Sequence, residues 1–132
     1  MLYLDSNVFV YATLNNEELG DRARLLLSRV QQGKERAATS ALTFDELVYV
    51  VKKHRSREDA TSAGEAFLNF PNLKLVAVNG ELLALALNLI RKYQLDPRDA
   101  IHAATALTAK AKTVVSTDAH FDRIKELKRK PL

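Results

Sequence analysis

Four short apolar runs, separated by longer segments with helical spacing, constrain the fold of this chain more than any other feature of its sequence. The runs are predicted to be β-strands, and they cover residues 2–4, 37–40, 73–78 and 113–116. Short strands that alternate with helices pair in parallel, because each crossover between parallel strands needs a connection long enough to hold a helix. We therefore predict an α/β fold of three layers, in which helices cover both faces of a short parallel sheet of four or five strands.

The segments between the strands carry the signals of helices. Apolar residues recur at helical spacing over 21–30, and Gly33 is expected to end that helix because glycine adopts the left-handed cap easily. Ser56 and Asp96 are expected to be the N-caps of two others. The remaining helices are predicted over 41–54, 81–92 and 121–128. The helix over 81–92 is apolar on most sides, which fits deep burial or a dimer interface equally well.

Composition narrows the chemistry of the chain. The 132 residues fit one domain, and the absence of Cys excludes disulfides, zinc–thiolate sites and thiol catalysis. No signal peptide or membrane-spanning run is expected, so a cytoplasmic location is predicted. The formal net charge of +4 permits nucleic-acid binding without requiring it. Basic residues cluster over 52–57 and 123–130, where they could hold phosphates or simply form solvated helix ends.

Two acids lie where predicted strands end. Asp5 directly follows the first strand, and Asp118 follows the fourth. Ligands of open parallel sheets bind beyond the carboxyl ends of the strands. If the first and fourth strands are neighbours, the two carboxylates lie close together. Each acid could equally be the cap of the helix that follows it.

Two further acids are singled out by helical geometry. Glu46 lies at the edge of the apolar face of its helix, where a carboxylate is costly without a charged partner, whereas Asp45 points to solvent. Asp99 flanks a face of alanines that permits close approach of a neighbouring element. It could instead reach back to Asp96 in the manner of a capping box.

Carboxylates that are gathered in one place repel each other unless a cation lies between them. Oxygen ligands without Cys or paired His suit a hard divalent ion, Mg²⁺ or Mn²⁺. Such an ion commonly serves phosphoryl chemistry. The residues alone therefore indicate hydrolysis of a phosphodiester or phosphate ester, and they leave the substrate open.

Four segments, in order along the chain, resemble the motifs of PIN-domain nucleases. The resemblance extends from residue 2 to about residue 127. The segments are LDSNVFVY at 4–11, TFDEL at 43–47, DPRDAIHAA at 96–104 and STDAHF at 116–121.

The resemblance implies roles for particular residues. Four acids would hold one or two Mg²⁺ ions, or Mn²⁺ in their place: Asp5, Glu46, Asp99 and Asp118. Three polar residues would orient those acids: Ser6, Asn7 and Thr117. Asp122 could replace or supplement Asp118, and Arg98 could hold a flanking phosphate. His102 could contact phosphate or water at the site, although a packed or solvated histidine is the favoured interpretation.

The resemblance also implies a function and partners. PIN-domain enzymes cleave single-stranded RNA, and small members similar to this chain are VapC-type toxins, which dimerise and are silenced by a VapB-type antitoxin. The predicted function is therefore a metal-dependent endoribonuclease, with a non-catalytic PIN-like module that binds RNA or protein as the alternative. A dehalogenase-type phosphatase is disfavoured, because Asp5-Ser6-Asn7 lacks a second Asp. The final edge strand of the fold is expected to be truncated or missing.

Overall fold

The computed structural model describes residues Met1–Leu132 and contains five strands, six α-helices and one 3₁₀ helix. The strands are β1 (Leu2–Leu4), β2 (Ala37–Ser40), β3 (Leu73–Val76), β4 (Thr113–Val115) and β5 (Lys128–Lys130). The helices are α1 (Ser6–Leu14), α2 (Glu18–Gln31), α3 (Ala41–His54), α4 (Arg57–Leu68), α5 (Gly80–Tyr93) and α6 (Pro97–Thr108), and the 3₁₀ helix is Ala119–Arg123.

All five strands are parallel, in the order β3-β2-β1-β4-β5. The predicted parallel α/β sheet is therefore confirmed. β1 and β4 are neighbours, with Leu4 opposite Val115. The chain adds strands on one side of β1 first and on the other side afterwards, so the strand order reverses between β1 and β4. Such a reversal opens a crevice at the carboxyl edge of a sheet.

Alternating side chains of the central strands supply two separate cores, one on each face of the sheet. Tyr3 and Val114 belong to the core on the side of α5 and α6. Leu4 and Val115 belong to the core on the side of α1, α2, α3 and α4. Successive strand residues point to opposite faces, so burial on both faces explains why the strands are continuous apolar runs.

Helix α1 has no counterpart among the predicted helices. Its residues include Val8, Phe9 and Val10, so it lacks a polar side and gives no amphipathic signal. The side chain of Asp5 accepts a hydrogen bond from the Ser6 N–H at its first turn. The cap therefore begins the helix and burial stabilises it. Its sequence has no periodicity that would predict it.

The end of the chain differs from the prediction. The helix predicted over 121–128 is wrong, since a 3₁₀ helix ends at Arg123 and β5 follows at Lys128–Lys130. Three buried apolar residues at intervals of three, Phe121, Ile124 and Leu127, imitate helical spacing. The final edge strand is short but present, and its charged residues suit an edge that must not pair with other chains.

The remaining helices lie close to their predicted positions. α3 has the predicted bounds, and Gly33 follows α2 with a φ of 74°. Asp96 occupies the N-cap position of α6, but its side chain makes no capping hydrogen bond. On α5, Leu83 and Leu87 remain 45% and 47% exposed, so deep burial does not explain all the apolar residues of this helix. None of the helices combines the length and the apolar character that crossing a membrane requires.

Candidate active site

Asp5 lies at the carboxyl edge of β1, beside the end of β4. Its backbone N–H donates to the carbonyl of Val115 at 3.1 Å, which continues the pairing of the two strands. Its Oδ1 accepts from the Ser6 N–H at 2.7 Å, and its Oδ2 accepts from the Ser116 hydroxyl at 2.6 Å. Asp5 is only 6% exposed. Both carboxylate oxygens are therefore held in fixed directions by groups from two strand ends.

Glu46 reaches the same place from α3 and is held by a histidine of α6. His102 Nε2 lies 2.5 Å from Glu46 Oε1 and 3.5 Å from Asp5 Oδ1. On the other side of the ring, His102 Nδ1 lies 2.6 Å from the Tyr3 hydroxyl. We call these residues the buried group, which consists of Tyr3, Asp5, Glu46, His102 and Ser116.

Burial and the neighbouring acids change the pKa values of His102 and Tyr3. Burial disfavours the charged form of His102, but the hydrogen bond to Glu46 and the charges of Asp5 and Glu46 outweigh it, so the pKa of His102 is raised. Burial, followed by the charge of Asp5, raises the pKa of Tyr3 well above its usual value. Tyr3 therefore remains a neutral hydroxyl throughout the working pH range.

Two further acids meet a second histidine nearer to solvent. One ligand atom each from Asp99, Asp118 and His120 lies within 4.8 Å of the others. His120 Nδ1 is 3.3 Å from Asp99 Oδ2 and 3.1 Å from Asp118 Oδ1. The Asp118 side chain also accepts from the His120 N–H at 2.9 Å, so it caps the 3₁₀ helix. We call these three residues the exposed group after His120, whose side chain is 50% exposed; the side chains of Asp99 and Asp118 are 17% and 33% exposed.

Asp99 shows that the two groups interact. Burial raises the pKa of Asp99, and the negative charges of Asp118 and Asp5 raise it further, against the opposing effect of His120. The pKa of Asp99 therefore responds to one acid of each group, Asp118 of the exposed group and Asp5 of the buried group.

Ser116 connects the two groups. Its hydroxyl donates to Asp5 and accepts from the Asp118 N–H at 2.9 Å. The Asn7 amide donates to Ser116 Oγ at 3.2 Å and to Thr117 Oγ1 at 2.9 Å. The side-chain amide oxygen of Asn7, Oδ1, is buried and has no partner among the protein's own groups. An unsatisfied acceptor beside a cluster of acids is costly and would be relieved by a water ordered at the site.

The donor set of the exposed group fits a divalent cation. Two carboxylates and an imidazole nitrogen can converge on one ion, and their ligand atoms already lie within the span of such a site. A cation there would also relieve the repulsion that raises the pKa of Asp99. The Asp99 side chain contacts His120, and it does not make the capping-box contact with Asp96 that the sequence left open.

The structure brings the four predicted acids to one edge of the sheet, in two pairs. Ser6 contacts Asp5 directly, whereas Asn7 and Thr117 contact each other and reach no acid by a hydrogen bond. Asp122 is held by both ends of the Arg129 guanidinium, at 2.9 and 3.1 Å. Arg98 and Asp45 are exposed.

Sequence reasoning missed three polar residues of this edge: Tyr3, Ser116 and His120. Tyr3 lies inside an apolar strand, where an aromatic residue is expected to pack in the hydrophobic core without a functional contact. Ser116 and His120 could have been found, because they flank Asp118 in the segment that follows β4.

The fold and the site together define a class, an α/β/α domain with a cluster of acids at the point where the strand order of a parallel sheet reverses. The chain belongs to the PIN domain family, whose family model matches residues 2–127. It is 30% identical to Ribonuclease VapC7 of Mycobacterium tuberculosis over 125 residues, which cover 92% of this chain and 84% of the relative.

Solved structures share the fold at lower sequence identity. VapC20 of Mycobacterium tuberculosis, described as a sarcin–ricin loop cleaving toxin, has a TM-score of 0.77 at 12% identity and covers 95% of each chain. VapBC2 of Rickettsia felis, in a complex with a promoter DNA fragment, has a TM-score of 0.73 at 23% identity. That match covers 99% of this chain and 98% of the other. These similarities confirm the PIN-like three-layer fold.

Proposed function

We propose that this chain is a metal-dependent endoribonuclease that hydrolyses RNA phosphodiester bonds, and that it is the toxin of a VapBC-type toxin–antitoxin pair. The observation that carries the proposal is the exposed group, in which Asp99, Asp118 and His120 can share one cation beside the fixed carboxylate of Asp5. The family, the ribonuclease relative and the fold similarity support the same conclusion.

Each residue has a distinct task in this proposal. Asp99 and Asp118 would hold the ion, and His120 would offer it a nitrogen ligand. Asp5 adds negative charge beside the exposed group. Glu46 accepts a proton or a hydrogen bond from the attacking water through the carboxylate oxygen that His102 does not contact. The cofactor is Mg²⁺, with Mn²⁺ able to replace it; when bound, such an ion lowers the pKa of water and neutralises charge on the phosphate.

Partners and location follow from the same proposal. Structural neighbours include complexes of VapB with VapC, so a VapB-type antitoxin is the proposed partner. A homodimer is proposed because α5 exposes two leucines on a face that a second copy can cover. The proposed location is the cytoplasm, where the RNA substrate lies.

The decisive experiment compares Asp99→Asn with Asp45→Asn. Both changes remove one carboxylate, but Asp45 is exposed and lies outside the two groups. Mg²⁺-dependent cleavage of single-stranded RNA should be abolished in the first variant and retained in the second. Mn²⁺ titration by calorimetry should show binding to the wild-type chain. Cleavage that survives in Asp99→Asn contradicts the assignment, and ion or RNA binding without any cleavage favours the non-catalytic alternative.

A further inference from the structure

His102 is a fully buried, polar side chain that touches two acids of the site without belonging to the exposed group. It is 1% exposed, and its ring contacts side chains from β1 and α3 as well as the carboxylate that follows β1. A buried imidazole among the alanines of α6 is unfavourable unless both nitrogens find partners. Both do, which makes the ring a bridge between the core and the site.

The direction of the hydrogen bond between His102 and Glu46 is fixed by chemistry. A Glu46 carboxylate can only accept, so His102 Nε2 must carry the proton that it shares with Glu46 Oε1 at 2.5 Å. The Tyr3 hydroxyl lies 2.6 Å from Nδ1; it donates to Nδ1 when the ring is neutral and accepts from Nδ1 when the ring is charged. The Tyr3 and His102 rings also meet edge to face, with centroids 5.8 Å apart. The contact with Tyr3 therefore holds the orientation of the imidazole from the core side in either protonation state.

Glu46 needs such support more than Asp5 does. Its side chain is 19% exposed and its only side-chain hydrogen bond is the one to His102. Asp5, by contrast, is held by Ser6 and Ser116. A glutamate has three side-chain torsions, and ordering them costs free energy that a single strong hydrogen bond can offset.

We infer that His102 is a positioning residue for Glu46, held in its own orientation by the Tyr3 hydroxyl. It fixes Glu46 Oε1 and leaves the second oxygen available to the reacting water. The inference rests on the proposed ribonuclease function, and it assigns His102 no contact with RNA or with the cation. Residues of this kind commonly change activity by about 10- to 100-fold.

A purely structural tie between α6 and α3 makes a different prediction from a positioning role. A structural tie affects stability, and its effect on activity is independent of Glu46. A positioning residue matters only while Glu46 is present, so the two substitutions should not be additive.

The test is a double-mutant cycle of His102→Leu and Glu46→Gln, with RNA cleavage measured per folded molecule well below Tm. His102→Leu should lower kcat by about 10- to 100-fold with little change in KM. The double variant should be no slower than Glu46→Gln alone. His102→Gln, which keeps an N–H donor, should recover part of the loss. Leu89→Ala, a buried change on α5 away from the site, controls for loss of stability and should keep the wild-type rate.

A second readout does not depend on cleavage. Nitrogen NMR of the metal-free protein should show His102 protonated at Nε2, with the Nδ1 resonance shifted by Tyr3→Phe and the Nε2 resonance shifted by Glu46→Gln. If His102→Leu does not fold, Tyr3→Phe and His102→Gln carry the kinetic test. Full activity of His102→Leu, or losses that multiply with Glu46→Gln, overturns the inference. If the wild-type chain instead cleaves no better than Asp99→Asn, the proposed function fails, and the NMR result still decides whether the bridge exists.

Discussion

The two histidines show that the halves of this site are built in different ways. His102 is 1% exposed and lies between Glu46 and a tyrosine of the core, while the side chain of His120 is 50% exposed and lies between Asp99 and Asp118. In the buried group every carboxylate already has a hydrogen-bond donor from the protein. In the exposed group the two acids share one solvent-accessible imidazole, and Asp118 also accepts from the His120 backbone N–H.

This difference indicates that folding orders the buried group and that a cation orders the exposed group. The buried group is arranged in advance by folding, because burial strengthens its hydrogen bonds and makes an unpaired member costly. The exposed group is held together weakly and gains most from a cation. Substitutions in the buried group should therefore reduce stability and activity together, whereas substitutions in the exposed group should reduce activity and ion binding alone.

The largest effect is expected for Asp5→Ala. The change leaves the Ser116 hydroxyl and the Ser6 N–H without their acceptor and removes a charge from the centre of the site. Unfolding free energy should fall by about 1–3 kcal/mol, the usual cost of an unsatisfied buried group. Activity should fall more than 100-fold, beyond the range for residues that act through others. Thermal denaturation and RNA cleavage measure the two effects, and an unchanged Tm would show that Asp5 does not organise the strand ends.

Asp118→Asn should have an equally clear effect on activity without the loss of stability. An asparagine oxygen can still accept from the His120 N–H, and the change removes a charge that raises the pKa of Asp99. Tm without metal should stay the same or rise. Saturating Mn²⁺ should raise Tm of the wild-type chain, as a ligand of the folded state must, and should do so less in the variant. A clear loss of stability in the metal-free variant would remove the distinction between the two groups.

The distinction also explains what the sequence could predict. Asp5 and Asp118 were found because they follow strands, and the pairing of β1 with β4 brings those strand ends together. Glu46 was found because it breaks the apolar face of a helix. Each of these signals is local in the sequence, and the strand order of the sheet brings the residues together in one site.

The contacts that distinguish the two groups were not predictable in the same way. The bond between Tyr3 and His102 joins residues 99 positions apart, and nothing in either local sequence marks it. Helix α1 was missed because its apolar residues do not gather on one side, and a helix was wrongly predicted over 121–128 because three buried residues there follow a spacing of three. Sequence periodicity shows which face of a helix is buried, and it gives no signal where apolar residues surround a short helix or where buried residues lie in a loop.

A moderate effect is expected for His120→Asn, which removes a nitrogen ligand from the exposed group. Imidazole favours transition metals, whereas carboxylates serve Mg²⁺ well. Affinity for Mn²⁺ should fall about tenfold, or ~1.4 kcal/mol, and affinity for Mg²⁺ should fall less. Calorimetry with each ion measures the ratio. An equal loss for both ions would show that His120 acts through the two carboxylates and does not contact the ion.

The smallest effect is expected for Asp122→Asn. Asp122 lies beside the site but belongs to neither group. Both oxygens of Asp122 are held by Arg129, whose guanidinium also donates to the Ser116 carbonyl. The hydrogen bond with Arg129 lowers the pKa of Asp122, so its folded value lies below the unfolded value of about 3.9. The pair therefore contributes stability above the unfolded pKa, and the contribution is lost as the pH falls through the folded value.

Because the Asp122 side chain is 54% exposed, the expected change in Tm at neutral pH is small, and it should disappear in acid. Cleavage activity of Asp122→Asn should remain close to that of the wild-type chain, because Asp118 rather than Asp122 lies with Asp99 and His120. Thermal melts at neutral and acidic pH, together with RNA cleavage, measure both outcomes. A loss of activity as large as that of Asp118→Asn would mean that Asp122 leaves Arg129 to bind the cation, and the exposed group would then have to include it.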